Sequence, residues 1–339
     1  MEFLYEYGLF FAKASTFVVA VGAIIALIAG AAHKPKAKRG EIELDDLSEQ
    51  LDTFKDQFLQ DTLNKDDLKK YNKEQKKLAK ENEDANKPNL YVLDFNGSMD
   101  AHEVDSLREE ITAILMIAKP KEDKVLLRLE SGGGVVHGYG LAASQLQRIK
   151  DANLNLTICV DKIAASGGYM MACIADRLVS APFAIIGSIG VIAQIPNFNK
   201  ILKKNDIDFE QITAGEFKRT LTLFGENTDK AREKFSEEIE ETHELFKDFI
   251  NVQRPSLDLP SVATGEHWFG TTALEKGLVD ELSTSDDILL SHNKDNQIYK
   301  VKFAIKKPLS EKLAIGLSSS LERAFIAIYS KVRTSFIAK

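Results

Sequence analysis

Cysteine is scarce in this 339-residue chain: Cys159 and Cys173 are the only two, too few for a disulfide framework or a four-cysteine zinc site. An excess of positive charge is missing as well. The 44 Lys and Arg face 51 Asp and Glu, a formal charge of −7, which excludes a nucleic-acid binder that relies on global charge. The phosphate-cradling patterns G-x-x-x-x-G-K-[ST] and G-x-G-x-x-G are absent, and so is the G-x-S-x-G of α/β-hydrolases. What is present narrows the class further. An apolar content of 44% rules out a wholly disordered chain, and 28% charged residues rule out a polytopic membrane protein. The length exceeds what one compact core needs, so a main domain with appendages is expected.

The first appendage is a stretch without charge, Ala14–Ala32. At about 1.5 Å per helical residue it matches a hydrocarbon core about 30 Å thick. The leader before it carries Glu2 and Glu6 against Lys13, unlike the basic start of a cleaved signal peptide. Lys34, Lys36, Lys38 and Arg39 follow it, so the positive-inside rule places the bulk of the chain in the cytoplasm. Residues 34–88 are then half charged, with Leu47, Leu51, Phe54, Phe58 and Leu59 at helical spacing. This reads as a charged helical or coiled linker, or equally as a flexible spacer, ending at Pro88.

The composition changes at Asn89. YVLDF, VLLRLE (Val125–Glu130), LTICV (Leu156–Val160) and RLVSAPFAIIGSIGVI (Arg177–Ile192) read as buried strands, with helical stretches at Ala101–Ala118, Gly138–Ile149 and Gly167–Ala175. Alternating strands and helices predict an α/β domain around a largely parallel sheet. Leu178–Ile195 also lacks charge, but Pro182, Gly187 and Gly190 interrupt it, as suits sheet core and glycine turns rather than a second span.

Two glycine-bearing turns follow predicted strands. In Glu130-Ser-Gly-Gly-Gly134 the backbone N–H groups can approach a ligand closely. In Asp161–Ala172 small residues precede Ser166 and glycines follow it, which leaves the hydroxyl accessible and puts the Gly167 N–H nearby. Ser166 is then either an N-cap or a nucleophile. A nucleophile needs a base. His102 and His137 lie near predicted strand ends and suit a histidine triad. Lys218 is the other candidate, and residue chemistry ranks it second, because lysine accepts a proton only when neutral.

AASGGYMMA around Ser166, AGEFKRT around Lys218, the SGGG turn and TGEHWFGTTALEKGLVDEL together resemble the S49 serine peptidases, the family of signal peptide peptidase A. EYGLFFAK, GSMDAHEVDSLREEITA and HGYGLAASQLQRIK extend the match from the N-terminal span to about residue 285. The resemblance implies a Clp/crotonase-like fold with an N-terminal transmembrane helix and a charged stalk. It implies a Ser/Lys dyad, with Ser166 as nucleophile and Lys218 as general base, fifty-two positions apart (218 − 166). Gly133 or Gly134, alongside Gly167, would form the oxyanion hole. The family often has proline where this chain has Gly132, which loosens the turn but removes no donor. No metal, nucleotide or organic cofactor is implied. The implied partners are peptide or protein substrates, membrane lipid and further copies of the chain in a ring, where neighbours can share a dyad; nucleic acid is not among them. Family analogy puts the catalytic domain on the outer face of a bacterial inner membrane, against the positive-inside reading.

The expected organisation is therefore an anchor (1–33), a charged linker (34–88), a peptidase domain (89–300) and a basic tail (301–339). In that tail Leu313, Leu317, Leu321, Phe325, Ile328, Val332 and Phe336 line one helical face, fit for a membrane surface or a subunit contact. The expected function is a membrane-anchored serine endopeptidase working through an acyl-enzyme on peptides or membrane-proximal proteins, signal-peptide remnants among them. Its rivals are a crotonase-type acyl-CoA enzyme and a non-catalytic membrane scaffold.

Overall fold

In the computed structural model, residues 7–11, 13–18, 21, 40–82 and 87–305 are described. Most of the charge-free stretch Ala14–Ala32 and all of the tail from residue 306 lie outside them. Among the described residues no helix is long and apolar enough to cross a membrane.

The chain divides into two units, Met1–Glu41 with Ile305–Lys339, and Ile42–Ala304. In the first, residues 7–11 and 13–18 are helical. The second is built on a seven-stranded sheet in the order β1-β10-β2-β3-β4-β6-β9. Its central strands are β2 (Asn89–Asn96), β3 (Lys124–Glu130), β4 (Asn155–Val160) and β6 (Arg177–Ser180). They are flanked by β10 (Gln297–Ile305) and β9 (Glu281–Leu282), with β1 (Gly40–Asp46) beside β10. The ladders β10/β2, β2/β3, β3/β4, β4/β6 and β6/β9 are all parallel. A second, three-stranded sheet sets β5 (Ile163–Ala165) parallel to β7 (Ile185–Gly187), and β7 antiparallel to β8 (His267–Phe269).

The near-continuous aliphatic runs make physical sense in a parallel sheet covered on both faces. Side chains alternate, so Tyr91, Leu93 and Phe95 of β2 join the larger core, while Leu90 and Val92 join the smaller one. Over the larger core lie α3 (Val104–Ile117), α4 (Val136–Asp151) and α5 (Gly167–Ala172). Helix α3 buries Val104, Leu107, Ile111 and Ile114 at helical spacing. The smaller core receives Ile288 and Leu289 of α10 (Ser285–His292).

The segment expected to be a linker begins inside the fold. Strand β1 adds to the sheet, Asp46 accepts from Gln297 Nε2 at 2.8 Å, and Ser48 Oγ accepts from Ile298 N at 3.1 Å. Leu47 packs on the smaller core. Backbone pairing decides this: the β10 edge offers a ladder that Glu41–Asp46 satisfies whatever its side chains. The helices α1 (Leu47–Thr62) and α2 (Lys65–Asn82) then follow, with Phe54 and Phe58 left exposed. Strand β10 likewise carries the domain a few residues past position 300.

Three shorter or peripheral helices complete the unit: α6 (Asn199–Lys204), α8 (Leu259–Val262) and α9 (Gly270–Glu275). The long α7 (Asp229–Gln253) starts at Thr228, whose Oγ1 accepts from Ala231 N at 3.2 Å, and buries only Phe246 and Ile250.

Candidate active site

Ser166 sits between β5 and α5 with φ 53° and ψ −119°. A non-glycine residue in such backbone costs on the order of 1–3 kcal/mol, so its surroundings must hold it there. They do so from both sides. Ser166 N donates to Gly187 O at 2.8 Å, and Ala165 N donates to Ser131 O at 3.0 Å. Ser166 stands at the N-cap of α5, yet its side chain makes no capping bond. The hydroxyl is thus left for other work.

The Ser131–Gly134 turn lies directly against it. Gly133 has φ +85°, and a Cβ there would stand 2.7 Å from Gly167 N and from Ser166 Cβ. At Gly134 a Cβ would stand 1.9 Å from Met99 O, so both positions tolerate only glycine. The Gly133 N–H is occupied, donating to Ser131 Oγ at 3.0 Å. The N–H groups of Gly134 and Gly167 have no hydrogen-bond partner among the described residues. Two free donors therefore flank the Ser166 side chain.

Ser166, Gly134 and Gly167 open onto a cavity of about 310 Å³. Its walls are Val136, Tyr139, Gly140, Ala143 and Ser144 of α4, Met170 of α5, Gly190–Ile192, and Thr242, Leu245, Phe246 and Phe249 of α7. Among the described residues no histidine, lysine or carboxylate lines it. The cavity suits an apolar side chain, and it offers Ser166 no proton acceptor of ordinary kind.

The candidate bases lie elsewhere. His102 is exposed, with Nδ1 2.9 Å from both Asp100 Oδ1 and Ser98 Oγ and Nε2 3.4 Å from Glu103. The bond to Asp100, helped by the charge of Glu103, raises its pKa, while Asp100 is held down at about 2. His137 is exposed at the start of α4, and neither histidine lines the cavity. Lys218 is exposed as well, in irregular backbone, and its side chain makes no ion pair or hydrogen bond among the described residues. It rides on an arm, residues 191–228, whose two legs are pinned together. Phe198 N donates to Leu223 O at 2.7 Å, Asn199 Nδ2 donates to Phe224 O at 2.7 Å, and Phe198, Phe209 and Phe224 stack at the centre. Beyond this pin Ile212 and Phe217 are exposed, and Gly215, with φ +98°, turns the chain just before Lys218.

Among the described residues no group of three or more His, Cys, Asp or Glu could hold a metal ion. Burial pushes the thiols of Cys159 and Cys173 up to about 12, so neither is a ready nucleophile. Residue patterns also missed parts of the site. Ser131 and Tyr139 lie inside the stretches SGGG and HGYGLAASQLQRIK, which gave them no role, and the α7 wall at Phe246 and Phe249 carried no motif. The signal beside Tyr139 was Gly138, where an added Cβ would stand 2.7 Å from Asp100 O, so other chain approaches the helix closely there.

Comparison with family models matches most of the chain to peptidase family S49. Residues 2–146 match "Peptidase family S49 N-terminal" and residues 148–299 match "Peptidase family S49". A protein from Haemophilus influenzae named "Probable protease SohB" is 50% identical over 328 residues, covering 92% of this chain and 92% of its own. Proteins of the same name from Buchnera aphidicola strains are 50% identical over 305 residues (86% of this chain, 100% of theirs) and 58% identical over 244 residues (72% of each).

Proposed function

This chain is a member of peptidase family S49, a hydrolase of peptide bonds, and from that premise we propose that it is a membrane-anchored serine endopeptidase in which Ser166 is the nucleophile and Lys218, from a neighbouring copy, is the general base. The fold assigned with it is of the Clp/crotonase type. One observation carries the proposal: Ser166 is strained, makes no capping bond and lines, with the free N–H donors of Gly134 and Gly167, an apolar cavity that no base lines among the described residues.

The chemistry follows in order. Ser166 Oγ attacks the scissile carbonyl carbon as neutral Lys218 takes its proton. Negative charge grows on the carbonyl oxygen, where the Gly134 and Gly167 N–H groups are placed to receive it. Loss of one such donor costs about 10²–10³ in rate. The C–N bond then breaks as protonated Lys218 returns the proton to the leaving amine. Water, deprotonated by the same lysine, releases the acid product and restores Ser166. The cavity volume and its apolar walls favour substrates with an aliphatic side chain next to the cleaved bond.

Supply of the base by another copy is supported by the arm. Its exposed Ile192, Ile212 and Phe217 form apolar surface of the kind a partner covers, and docking would take Lys218 out of water, which favours its neutral form. Anchoring is supported by Ala14–Ala32, and in a bacterial inner membrane it would restrict the enzyme to membrane-proximal peptides and proteins, signal-peptide remnants included. The test is complementation. Ser166→Ala and Lys218→Ala variants are each expected to be inactive, but mixed after dissociation they should regain about a quarter of the wild-type sites, those pairing intact Ser166 with intact Lys218 in a head-to-tail ring. No recovery from a mixture proven to co-assemble would rule out a shared dyad. An active Ser166→Ala enzyme would sink the whole proposal.

A further inference from the structure

The oxyanion turn Ser131–Gly134 contains three consecutive glycines and no proline, the backbone with the most conformational freedom to lose. Catalysis through Gly134 needs that turn held still, because oxyanion stabilisation depends on donors fixed in advance. Something other than the turn's own residues must fix it.

A chain of hydroxyls does so. Gly133 N–H donates to Ser131 Oγ at 3.0 Å, Ser131 Oγ lies 2.5 Å from Tyr139 Oη, and Tyr139 Oη donates to Ser98 O at 2.8 Å. A carbonyl can only accept, so the Tyr139 proton goes to Ser98 and Ser131 donates to Tyr139. The directions are thus set along the whole relay: Gly133 to Ser131 to Tyr139 to the loop after β2. That loop grips the turn a second time, since Val135 N donates to Met99 O at 2.8 Å.

The same side chain braces the other donor. Tyr139 is fully buried, and a Cβ at Gly167 would stand 2.4 Å from Tyr139 Cγ and 2.7 Å from Cδ2. The ring therefore lies flush on the backbone that carries the Gly167 N–H. Room for its hydroxyl is made by Gly97, where a Cβ would meet Tyr139 Oη at 2.5 Å. Burial also raises the phenol's pKa, against the lowering effect of the Ser131 bond, so the donor proton stays in place across the working range.

We infer that Tyr139, acting through Ser131, is the positioning residue of the oxyanion hole: its hydroxyl fixes the turn that presents Gly134 and its ring fixes Gly167. It touches no reacting atom of the substrate. The inference rests on Ser166, Gly134 and Gly167 holding the roles proposed above. An effect of this kind falls on the transition state and leaves ground-state binding alone.

The experiment compares Tyr139→Phe, Ser131→Ala and their double variant with wild type in the full-length protein, at a temperature well below each variant's unfolding midpoint. Tyr139→Phe keeps the ring and removes the relay. Expected is a fall in kcat of about tenfold or more with KM within about twofold, and an equal loss of affinity for a peptide aldehyde, whose serine adduct carries the oxyanion. The double variant should lose no more than the worse single one, because both cut the same relay. If kcat of Tyr139→Phe stays within about twofold of wild type, or the two losses multiply, the relay has no such role. Should Tyr139→Phe fail to fold, Ser131→Ala decides by the same criteria. Ser166→Ala is measured alongside: activity there overturns the nucleophile and this inference together, whereas a dead Ser166→Ala beside an unimpaired Tyr139→Phe overturns this inference alone.

Discussion

Gly133 and Ser166 touch across the candidate active site: a side-chain carbon on Gly133 would stand 2.7 Å from the Cβ of Ser166. The contact leaves room for one residue type. With φ +85° the position is also strained for any other. Gly133→Ala is therefore expected to destabilise the domain by about 1–3 kcal/mol, through backbone strain and a forced shift of the turn. Activity should drop by more than the folded fraction explains. Urea denaturation and active-site titration with a serine-directed phosphonate separate the two. Full activity in a folded Gly133→Ala enzyme would contradict the packing of the turn on Ser166.

Gly140 poses the opposite case. It lies inside α4, lines the cavity, and has nothing within 4 Å of an added Cβ. Gly140→Ala should stabilise the protein by about 0.5–1 kcal/mol, the helix-propensity difference. The same methyl enters the cavity, so KM should rise for substrates with the largest apolar side chains and change little for alanine-sized ones. Thermal denaturation and a substrate series check both. A loss of stability would mean the space at Gly140 is already filled.

The His102–Asp100 pair has the look of catalytic machinery and is expected not to be. His102→Ala should keep most activity in a peptide-cleavage assay, because the imidazole does not line the cavity of Ser166. Its titration is a separate matter. Asp100 and Glu103 raise the His102 pKa, so whatever stability the protonated imidazole adds is present below the unfolded value of about 6.5 and fades as pH rises through the higher folded value. The NMR midpoint of His102 should lie above about 6.5 and move down toward it in Asp100→Asn. An unmoved midpoint would show that Asp100 is not the cause.

Arg254 and Asp280 close the far end of α7. Arg254 Nη2 bonds Asp280 Oδ1 at 2.5 Å, its side chain is only 12% exposed, and Asp280 Oδ2 also accepts from Leu178 N at 2.7 Å. Burial by itself would raise the Asp280 pKa, but the Arg254 and Leu178 bonds outweigh it and the net shift is downward. A lowered carboxyl pKa adds stability above the unfolded value of about 3.9 that is lost as pH falls through the folded value. Asp280→Ala should cost about 1–3 kcal/mol at neutral pH, since it leaves the Leu178 amide unpaired and the Arg254 guanidinium with only its bond to Gly277 O. The difference from wild type should shrink in acid below about pH 4. A pH-independent difference would mean that the carboxylate's charge is not what matters.

Much of this could be read from the residues in order. The strands YVLDF, VLLRLE and LTICV declare themselves as short, mostly apolar runs, and α3 as apolar positions at helical spacing, because both patterns depend only on neighbours along the chain. Ser166 was legible for the same reason: small residues before it and glycines after it mark an open turn. Arg177–Ile192, read as one strand region, divides between two sheets as β6 and β7, a choice made by partners far away in sequence. Gly40–Ser48 looked like spacer because its charge hid an edge strand, whose pairing is a property of β10 and not of its own side chains.

By itself the amino-acid order determined the class of protein, the alternation of strands and helices, and which serine stands at a glycine turn. Those depend on local backbone preferences and on periodic burial. Only the tertiary structure decided that, among the described residues, Gly133 is spent on Ser131 while Gly134 and Gly167 stay free, that the Tyr139 ring lies against Gly167, and that no histidine, lysine or carboxylate lines the cavity of Ser166. The Gly133–Ser131 bond is local, but the contacts of Tyr139 with Ser98 and Gly167 and the walls of the cavity join segments tens of residues apart, and those are set by how the layers pack, which no local pattern encodes.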